Sequence, residues 1–92
     1  EKKELLLQKE PIRAKCSETF VQLTGSIVSR TVLSHIRFAT VGEISEKNTH
    51  PFSFQNWSFA HNGGISHIET LRPLLLKKIP SDLLSSISGK TD

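Results

Sequence analysis

Apolar residues fall into short runs along the chain, and the spacing within each run predicts one kind of element. Residues 3–9, KELLLQK, have a leucine core followed by Pro11, which predicts a short strand that ends before the proline. Residues 30–39, RTVLSHIRFA, divide between two faces as a strand does. His35 and Arg37 lie together on one face. The more apolar face, which we expect to meet the core, consists of Val32, Ser34, Ile36 and Phe38.

Two helices are predicted from signals at their ends. The Ser17 hydroxyl can accept a hydrogen bond from an early helical N–H, which predicts an N-cap, and Gly25 should end that helix as a C′ residue. Ser66 and Glu69 have the S-x-x-E spacing of a capping box, so a second helix should follow. Pro73 lies inside this second helix, and because an interior proline costs about 3 kcal/mol, the helix should kink or restart there.

The connecting segments complete the order strand, helix, strand, long loop, strand, tight turn, helix. Residues 40–55 are predicted to form a long loop, and such a loop in a compact domain is often functional. Residues 57–61, WSFAH, predict a strand that stops abruptly at residues 62–64, Asn-Gly-Gly. The polar tail, residues 81–92, should be a helix end and a loop. This order indicates an α+β or layered α/β fold with a small core.

Length and charge narrow the classes of function. The 92 residues allow at most one small domain, and a start at Glu1 without Met leads us to expect that residues 1–92 are a fragment of a single domain. The formal charge of +3 comes from scattered basic residues, without the basic and aromatic patch of a nucleic-acid surface. No apolar run approaches the roughly 20 residues that span a membrane, and no signal peptide is visible. Cys16, the one cysteine, favours a reducing compartment and hence a cytoplasmic location.

Asn62 and Gly63 are the first candidate site residues. The dipeptide can be a simple turn at the end of a strand, because both residues tolerate positive φ. It can also be functional, since an Asn amide and the following Gly N–H can point at one spot. Two fixed donors are what a developing oxyanion needs during acyl transfer. The residues alone leave both interpretations open.

Arg37 is the second candidate. A half-buried arginine needs a partner, because an unpaired buried charge is costly. The partner can be the carboxylate of Glu43 or Glu46, in a structural ion pair. Alternatively, the guanidinium can hold the carboxylate of a ligand in a bidentate clamp.

The remaining reactive side chains favour structural roles. The histidines at positions 35, 50, 61 and 67 lack a close H-x-x-x-H pair, and no cysteine joins them, so we expect no metal and no cofactor. Cys16 lies beside a predicted helix N-cap, where a thiolate would be favoured. No base is near it in the sequence, so we expect an ordinary free cysteine.

Three ordered motifs resemble the glutaminase domain of class II glutamine amidotransferases, and most closely its bacterial stand-alone branch. The motifs are H-x-R-x-A-T-x-G in SHIRFATVG, N-x-H-P-F in NTHPF, and H-N-G in WSFAHNGGI. The similarity covers most of residues 30–72, whereas residues 1–29 are compatible but carry no signature. The closing Gly-Lys-Thr-Asp is similar to the acidic loop of the family over a short stretch. The resemblance implies part of a four-layer α/β/β/α N-terminal-nucleophile hydrolase sandwich.

The resemblance also implies roles for individual residues. Arg37 would bind the α-carboxylate of glutamine, and Asp92 would pair with its α-ammonium group. Asn62 and Gly63 would supply the oxyanion hole. Thr40 would line the substrate pocket.

For four further positions, the resemblance implies a role less directly. His50 would also line the substrate pocket, and His61 would be an internal support beside the oxyanion hole. Val41 departs from members that have a histidine there, which removes one expected contact. Phe38 replaces a tryptophan of some branches, and a packing role would tolerate that change.

The activity implied is hydrolysis of the side-chain amide of glutamine to glutamate and ammonia. The family nucleophile is an N-terminal cysteine whose own α-amine acts as base. Cys16 is internal, so we expect the nucleophile upstream of Glu1 and an inactive fragment. The ammonia could pass to a synthase domain or partner subunit. The alternatives are a hydrolase of γ-glutamyl peptides or conjugates, a non-catalytic ligand-binding domain on the same scaffold, and a generic α+β domain that binds nucleic acid.

Overall fold

A computed structural model describes residues 4–92 of the chain as short helices around one β-hairpin. The helices are α1 at Glu18–Ser26, α2 at Ile68–Leu76 and α3 at Ser81–Leu84. Strands β1, Phe52–Phe54, and β2, Trp57–Phe59, pair antiparallel. Two single turns of 3-10 helix lie at Ala14–Cys16 and Glu46–Asn48. Helices with a two-stranded sheet are compatible with the predicted α+β class.

Helix α1 begins where the sequence predicts, but it ends later. The Ser17 hydroxyl accepts a hydrogen bond from the Phe20 N–H at 2.9 Å, which confirms Ser17 as the N-cap. The prediction that Gly25 ends the helix is wrong, because the helix continues through Ser26. The N–H of Ile27 donates to the Leu23 carbonyl at 2.9 Å and closes the last turn without a glycine cap.

The strands predicted at residues 3–9 and 30–39 are wrong for the described part of the chain. The first predicted residue, Lys3, lies outside the described residues; residues 4–9 and 30–39 have no strand assignment. A strand is defined by hydrogen bonds to a neighbour, and among residues 4–92 the one sheet joins only β1 and β2. The pattern of apolar residues within one segment does not show whether another segment lies beside it to form these hydrogen bonds.

The expected orientation of residues 30–39 is also wrong. Ile36 is 77% exposed and Phe38 is 89% exposed, whereas His35 and Arg37 on the other face are half-buried. Hydrogen bonds to backbone carbonyls hold His35 and Arg37 inward, and no described segment covers the apolar face. The buried side chains of the described residues are accordingly polar, and they are Ser17, Asn48 and His50.

The segment from residue 40 to residue 61 contains one strand that was not predicted. β1 interrupts the loop expected over 40–55, and Phe52 pairs with Phe59 across the hairpin. Gln55 has φ 51° in the connecting turn. β2 ends at Phe59, two residues before the end of the predicted strand, because β1 offers only three partners.

Helix α2 does not use the predicted capping box. His67, with φ 57°, is the N-cap residue and makes no capping hydrogen bond through its side chain. Ser66 therefore lies outside the cap position. Pro73 lies inside one continuous helix, Ile68–Leu76, so the predicted restart at the proline is wrong. The tail begins with α3 and continues from residue 85 to residue 92 without a further helix or strand. None of the helices in residues 4–92 is long and apolar enough to cross a membrane.

Candidate functional site

All six residues predicted for the site line one cavity of about 320 Å³. Its walls are residues 35–38, Thr40, the turn at residues 61–64, His50 and the final residues 91–92. The predicted residues that meet there are Arg37, Thr40, His50, Asn62, Gly63 and Asp92. A larger cavity of about 450 Å³ lies beside residues 8–15. It shares His50 and residues 35–38 with the smaller one but not Thr40 or the turn, so the smaller cavity is the candidate site.

The guanidinium of Arg37 is held by the backbone of the following loop. It donates to the carbonyl oxygens of Val41, Gly42 and Glu43, with distances of 3.4 Å to Gly42 and 3.2 Å to Glu43. The alternative ion pair with Glu43 does not form, because the Glu43 carboxylate pairs with Lys47 at 2.7 Å. The hydrogen bond that Lys47 donates to the Glu43 carboxylate, together with the positive charge of Lys47, lowers the pKa of Glu43.

The described contacts of the Arg37 guanidinium are with carbonyl oxygens and not with carboxylates. Within residues 4–92 the guanidinium has no carboxylate at ion-pair distance, including that of Glu46. A guanidinium has five N–H donors, and the loop carbonyls take three contacts. Arg37 also lines the candidate cavity.

His35 and His50 hold the main chain of His61 from both sides. The His61 N–H donates to Nδ1 of His50 at 3.0 Å, so this nitrogen must carry no proton. The His61 carbonyl lies 2.9 Å from Nε2 of His35, and because a carbonyl can only accept, Nε2 must carry the proton. The two imidazole rings stack with centroids 4.2 Å apart and planes 17° apart. The residue that precedes Asn62 is thereby fixed at both of its backbone groups.

The surroundings of His50 favour its neutral form. The side chain is only 6% exposed. Burial lowers the pKa of His50 below its ordinary 6.5, and neighbouring positive groups act in the same direction, namely His35, Arg37, His61 and Lys9. A neutral His50 is the form that can accept the His61 N–H.

Gly63 has a backbone conformation that requires glycine. Its φ is 145°, a region that residues with a Cβ rarely adopt. A Cβ there would also lie 3.3 Å from Nε2 of His61. Asn62 and Gly63 are both exposed, and both line the cavity.

Asp92 faces the cavity as a carboxylate. Its Oδ2 accepts a hydrogen bond from the Ile65 N–H at 2.8 Å. This bond lowers the pKa of Asp92 below 3.8, although partial burial opposes it. Thr91 adds a weaker contact, since its hydroxyl lies 3.4 Å from Oδ1. The cavity thus has a cation at Arg37 and an anion at Asp92.

Asn48 and Arg72 lie around the site but were not among the predicted site residues. The Asn48 amide donates to the Glu43 carbonyl at 3.0 Å and accepts from the Lys90 N–H at 2.6 Å. Arg72 donates to the carbonyls of Gly89 at 2.6 Å and Thr91 at 3.3 Å. The available signal for Asn48 was its place in N-T-H-P-F, two residues before His50.

The cysteine and the histidines form no metal centre among the described residues. Residues 4–92 contain no group of three or more His, Cys, Asp or Glu placed to hold a metal ion. Cys16 is exposed and does not line the candidate cavity.

Comparison with known proteins gives a family and a set of relatives. The family model described as "Glutamine amidotransferases class-II" matches residues 2–80. A Saccharomyces cerevisiae protein named "Probable glutamine amidotransferase DUG3" is 42% identical over 64 residues, which cover 70% of this chain and 18% of that protein. A Vibrio vulnificus protein named glutamine–fructose-6-phosphate aminotransferase (isomerizing) is 49% identical over 51 residues, covering 55% of this chain and 8% of that protein. Comparison with solved structures finds no match.

The chain spans less than a fifth of the length of these two relatives. The family match nevertheless takes in most of the chain and all three motifs, including Arg37, Asn62 and Gly63. Asp92 lies beyond the matched residues 2–80, so its position in the cavity is an independent observation. On the family match, this chain belongs to the class II glutamine amidotransferases.

Proposed function

We propose that this chain supplies the substrate clamp and oxyanion hole of an enzyme that hydrolyses the side-chain amide of glutamine to glutamate and ammonia. The observation that carries the proposal is the single cavity in which Arg37 and Asp92 accompany the Asn62–Gly63 turn. A free amino acid has one cationic and one anionic end. A selective pocket therefore needs one anion and one cation at a fixed separation.

The clamp assigns each charged end of glutamine to one residue. Arg37 binds the α-carboxylate through the donors that the loop carbonyls leave free. Asp92 accepts from the α-ammonium group, and the Ile65 N–H keeps Asp92 in its charged form. Thr40 lines the same pocket as these groups and the turn. Removing either charge would leave one end of the bound substrate without compensation.

The oxyanion hole consists of the Asn62 side-chain amide and the Gly63 N–H. Its donors must be in place before negative charge develops on the amide oxygen. The hydrogen bonds of His35 and His50 to His61 support this, because they fix the residue that leads into the turn. In this proposal His50 contributes to the pocket wall and also orients the hole.

The complete reaction also requires a nucleophile that attacks the substrate held by the clamp and the oxyanion hole. We assign this role to an N-terminal cysteine of the complete protein, with its α-amine as base. Cys16 is exposed and outside the cavity, which agrees with excluding it. In the complete protein residues 1–92 then form part of a single domain with four α/β/β/α layers.

The ammonia has several possible acceptors. A relative is named glutamine–fructose-6-phosphate aminotransferase, and a synthase domain or subunit could receive ammonia in the same way here. The single cysteine of the chain fits a cytoplasmic enzyme. A γ-glutamyl peptide or conjugate presents the same α-carboxylate and α-ammonium groups, so it is the second candidate substrate.

The test is ammonia release from L-glutamine by the complete protein. We expect turnover that depends on the N-terminal cysteine, with a Cys→Ala variant as the inactive control. Hydrolysis of a γ-glutamyl dipeptide releases glutamate and a free amino acid and not ammonia, so glutamate release measured with each compound separates the two substrate classes. No release of glutamate from either compound would contradict the proposal and favour a non-catalytic ligand-binding domain.

A further inference from the structure

Asn48 is the most deeply buried side chain of the described residues, with 0% exposure. A buried amide must satisfy its donor and its acceptor, or it costs free energy. Both ends of the Asn48 amide are used: Nδ2 donates to the Glu43 carbonyl at 3.0 Å, and Oδ1 accepts from the Lys90 N–H at 2.6 Å.

These two hydrogen bonds connect the two halves of the charged clamp. The Glu43 carbonyl that Asn48 contacts also accepts from Nη1 of Arg37 at 3.2 Å. Lys90, on the other side, lies two residues before Asp92. One side-chain amide therefore links the loop that holds the Arg37 guanidinium to the segment that carries the Asp92 carboxylate.

Two glycines allow these segments to approach Asn48 closely. Gly42 has φ +77°, and a Cβ on it would lie 3.0 Å from Nδ2 of Asn48. A Cβ on Gly89 would lie 2.7 Å from the Lys47 carbonyl and 3.2 Å from Oδ1 of Asn48. Real Cβ contacts are rarely that short, so any side chain at either position would push one segment away. The distance between the two segments that contact Asn48 thus depends on Asn48, Gly42 and Gly89 together.

We infer that Asn48 is a positioning residue that sets the separation between Arg37 and Asp92 to match the two charged ends of the substrate. This inference rests on the proposed function. Arg72 also holds the same segment, through the Gly89 and Thr91 carbonyls. Asn48 does not line the cavity and acts only through its two backbone contacts.

A role in setting the separation makes a prediction that a general role in stability does not. A ligand with both charged ends senses the distance between Arg37 and Asp92, whereas a ligand with one charged end does not. L-glutamine is the first kind. The compound 4-carbamoylbutanoate, which is glutamine without its α-ammonium group, is the second kind and engages Arg37 alone.

The experiment compares both ligands in the complete protein with Asn48→Ala. The KM for L-glutamine should rise about tenfold to a hundredfold, the range expected when hydrogen bonds to a charged group are lost, while kcat changes less than about threefold. The inhibition constant of 4-carbamoylbutanoate should change less than about threefold, because one charge suffices for its binding. Equal weakening of both ligands, or a KM that does not change, would overturn the inference.

Two further variants keep the test decisive. Gly89→Ala leaves Asn48 in place but displaces Lys90, and it should give the same selective rise in KM even where Asn48→Ala does not fold. Asn56→Ala removes an exposed asparagine from the hairpin turn and should leave both constants unchanged. An unmodified protein that releases no ammonia from L-glutamine would overturn the proposed function, and this inference with it. If the unmodified protein is active but Gly89→Ala and Asn48→Ala weaken the binding of L-glutamine and of 4-carbamoylbutanoate equally, this inference alone would be overturned.

Discussion

Replacing His50 by phenylalanine tests whether the stacked histidines orient the oxyanion hole. Phenylalanine keeps an aromatic ring against His35 but removes the nitrogen that accepts the His61 N–H at 3.0 Å. Leaving a fully buried N–H without a partner costs about 1–3 kcal/mol, and because the His61 N–H is only partly buried, the free energy of unfolding should fall by an amount near the lower end of that range. A fully lost oxyanion-hole donor lowers kcat about 100- to 1000-fold, and a displaced turn should cost less, so we expect kcat to fall about 10- to 100-fold.

The assay is ammonia release by the complete protein, with kcat and KM for L-glutamine measured separately and unfolding followed in urea. Because the predicted effect is on the transition state, KM should change less than about threefold. The matched control is the same substitution at the exposed His67, which should leave kcat unchanged. A rise in KM with kcat preserved would refute an orienting role and identify His50 as a substrate contact instead.

Four further predictions concern the clamp, the turn and pH. Arg37→Lys replaces a forked donor by a point charge, so KM for L-glutamine should rise about 10- to 100-fold in steady-state assays. Asp92→Asn keeps an acceptor for the Ile65 N–H but loses the charge, so KM should rise about tenfold or more for L-glutamine and stay unchanged for 4-carbamoylbutanoate. Gly63→Ala, at φ 145°, should lower kcat by about 100-fold or more, and an unchanged kcat would exclude the Gly63 N–H as an oxyanion donor. The pKa of His50 is lowered from 6.5, so the unfolded chain binds a proton first as pH falls, and the free energy of unfolding should decrease below about pH 6.5. In urea titrations at pH 7.5 and 5.5, that decrease should be smaller in His50→Phe, and an identical decrease would show that folding does not change the pKa of His50.

Local chemistry in the sequence predicted parts of this fold. Ser17 is the N-cap of α1 because its hydroxyl and the Phe20 N–H are close along the chain. Alternation at residues 30–39 placed His35 and Arg37 on one face, but the prediction that the opposite face meets the core was wrong, because His35 and Arg37 are half-buried while Ile36 and Phe38 are exposed. The strand predicted over residues 30–39 does not form, because a strand depends on a neighbouring chain segment and not only on its own pattern.

The candidate site was predictable to the extent that its residues lie in motifs. Arg37, Asn62 and Gly63 are in the motifs, and the structure places them around one cavity, although their roles stay predictions. Asn48 was missed because its two partners are the backbones of Glu43 and Lys90, and backbone partners leave no trace in side-chain identity.

A crystal structure of the complete protein with L-glutamate bound tests the central claim most directly. We predict that the ligand α-carboxylate lies about 3 Å from the Arg37 guanidinium and that its ammonium group lies about 3 Å from the Asp92 carboxylate. The side-chain carboxylate of the ligand should lie at the Asn62 amide and the Gly63 N–H. An Arg37 side chain that points away from the cavity beside Gly63, or a ligand bound with its ends reversed, would contradict the account.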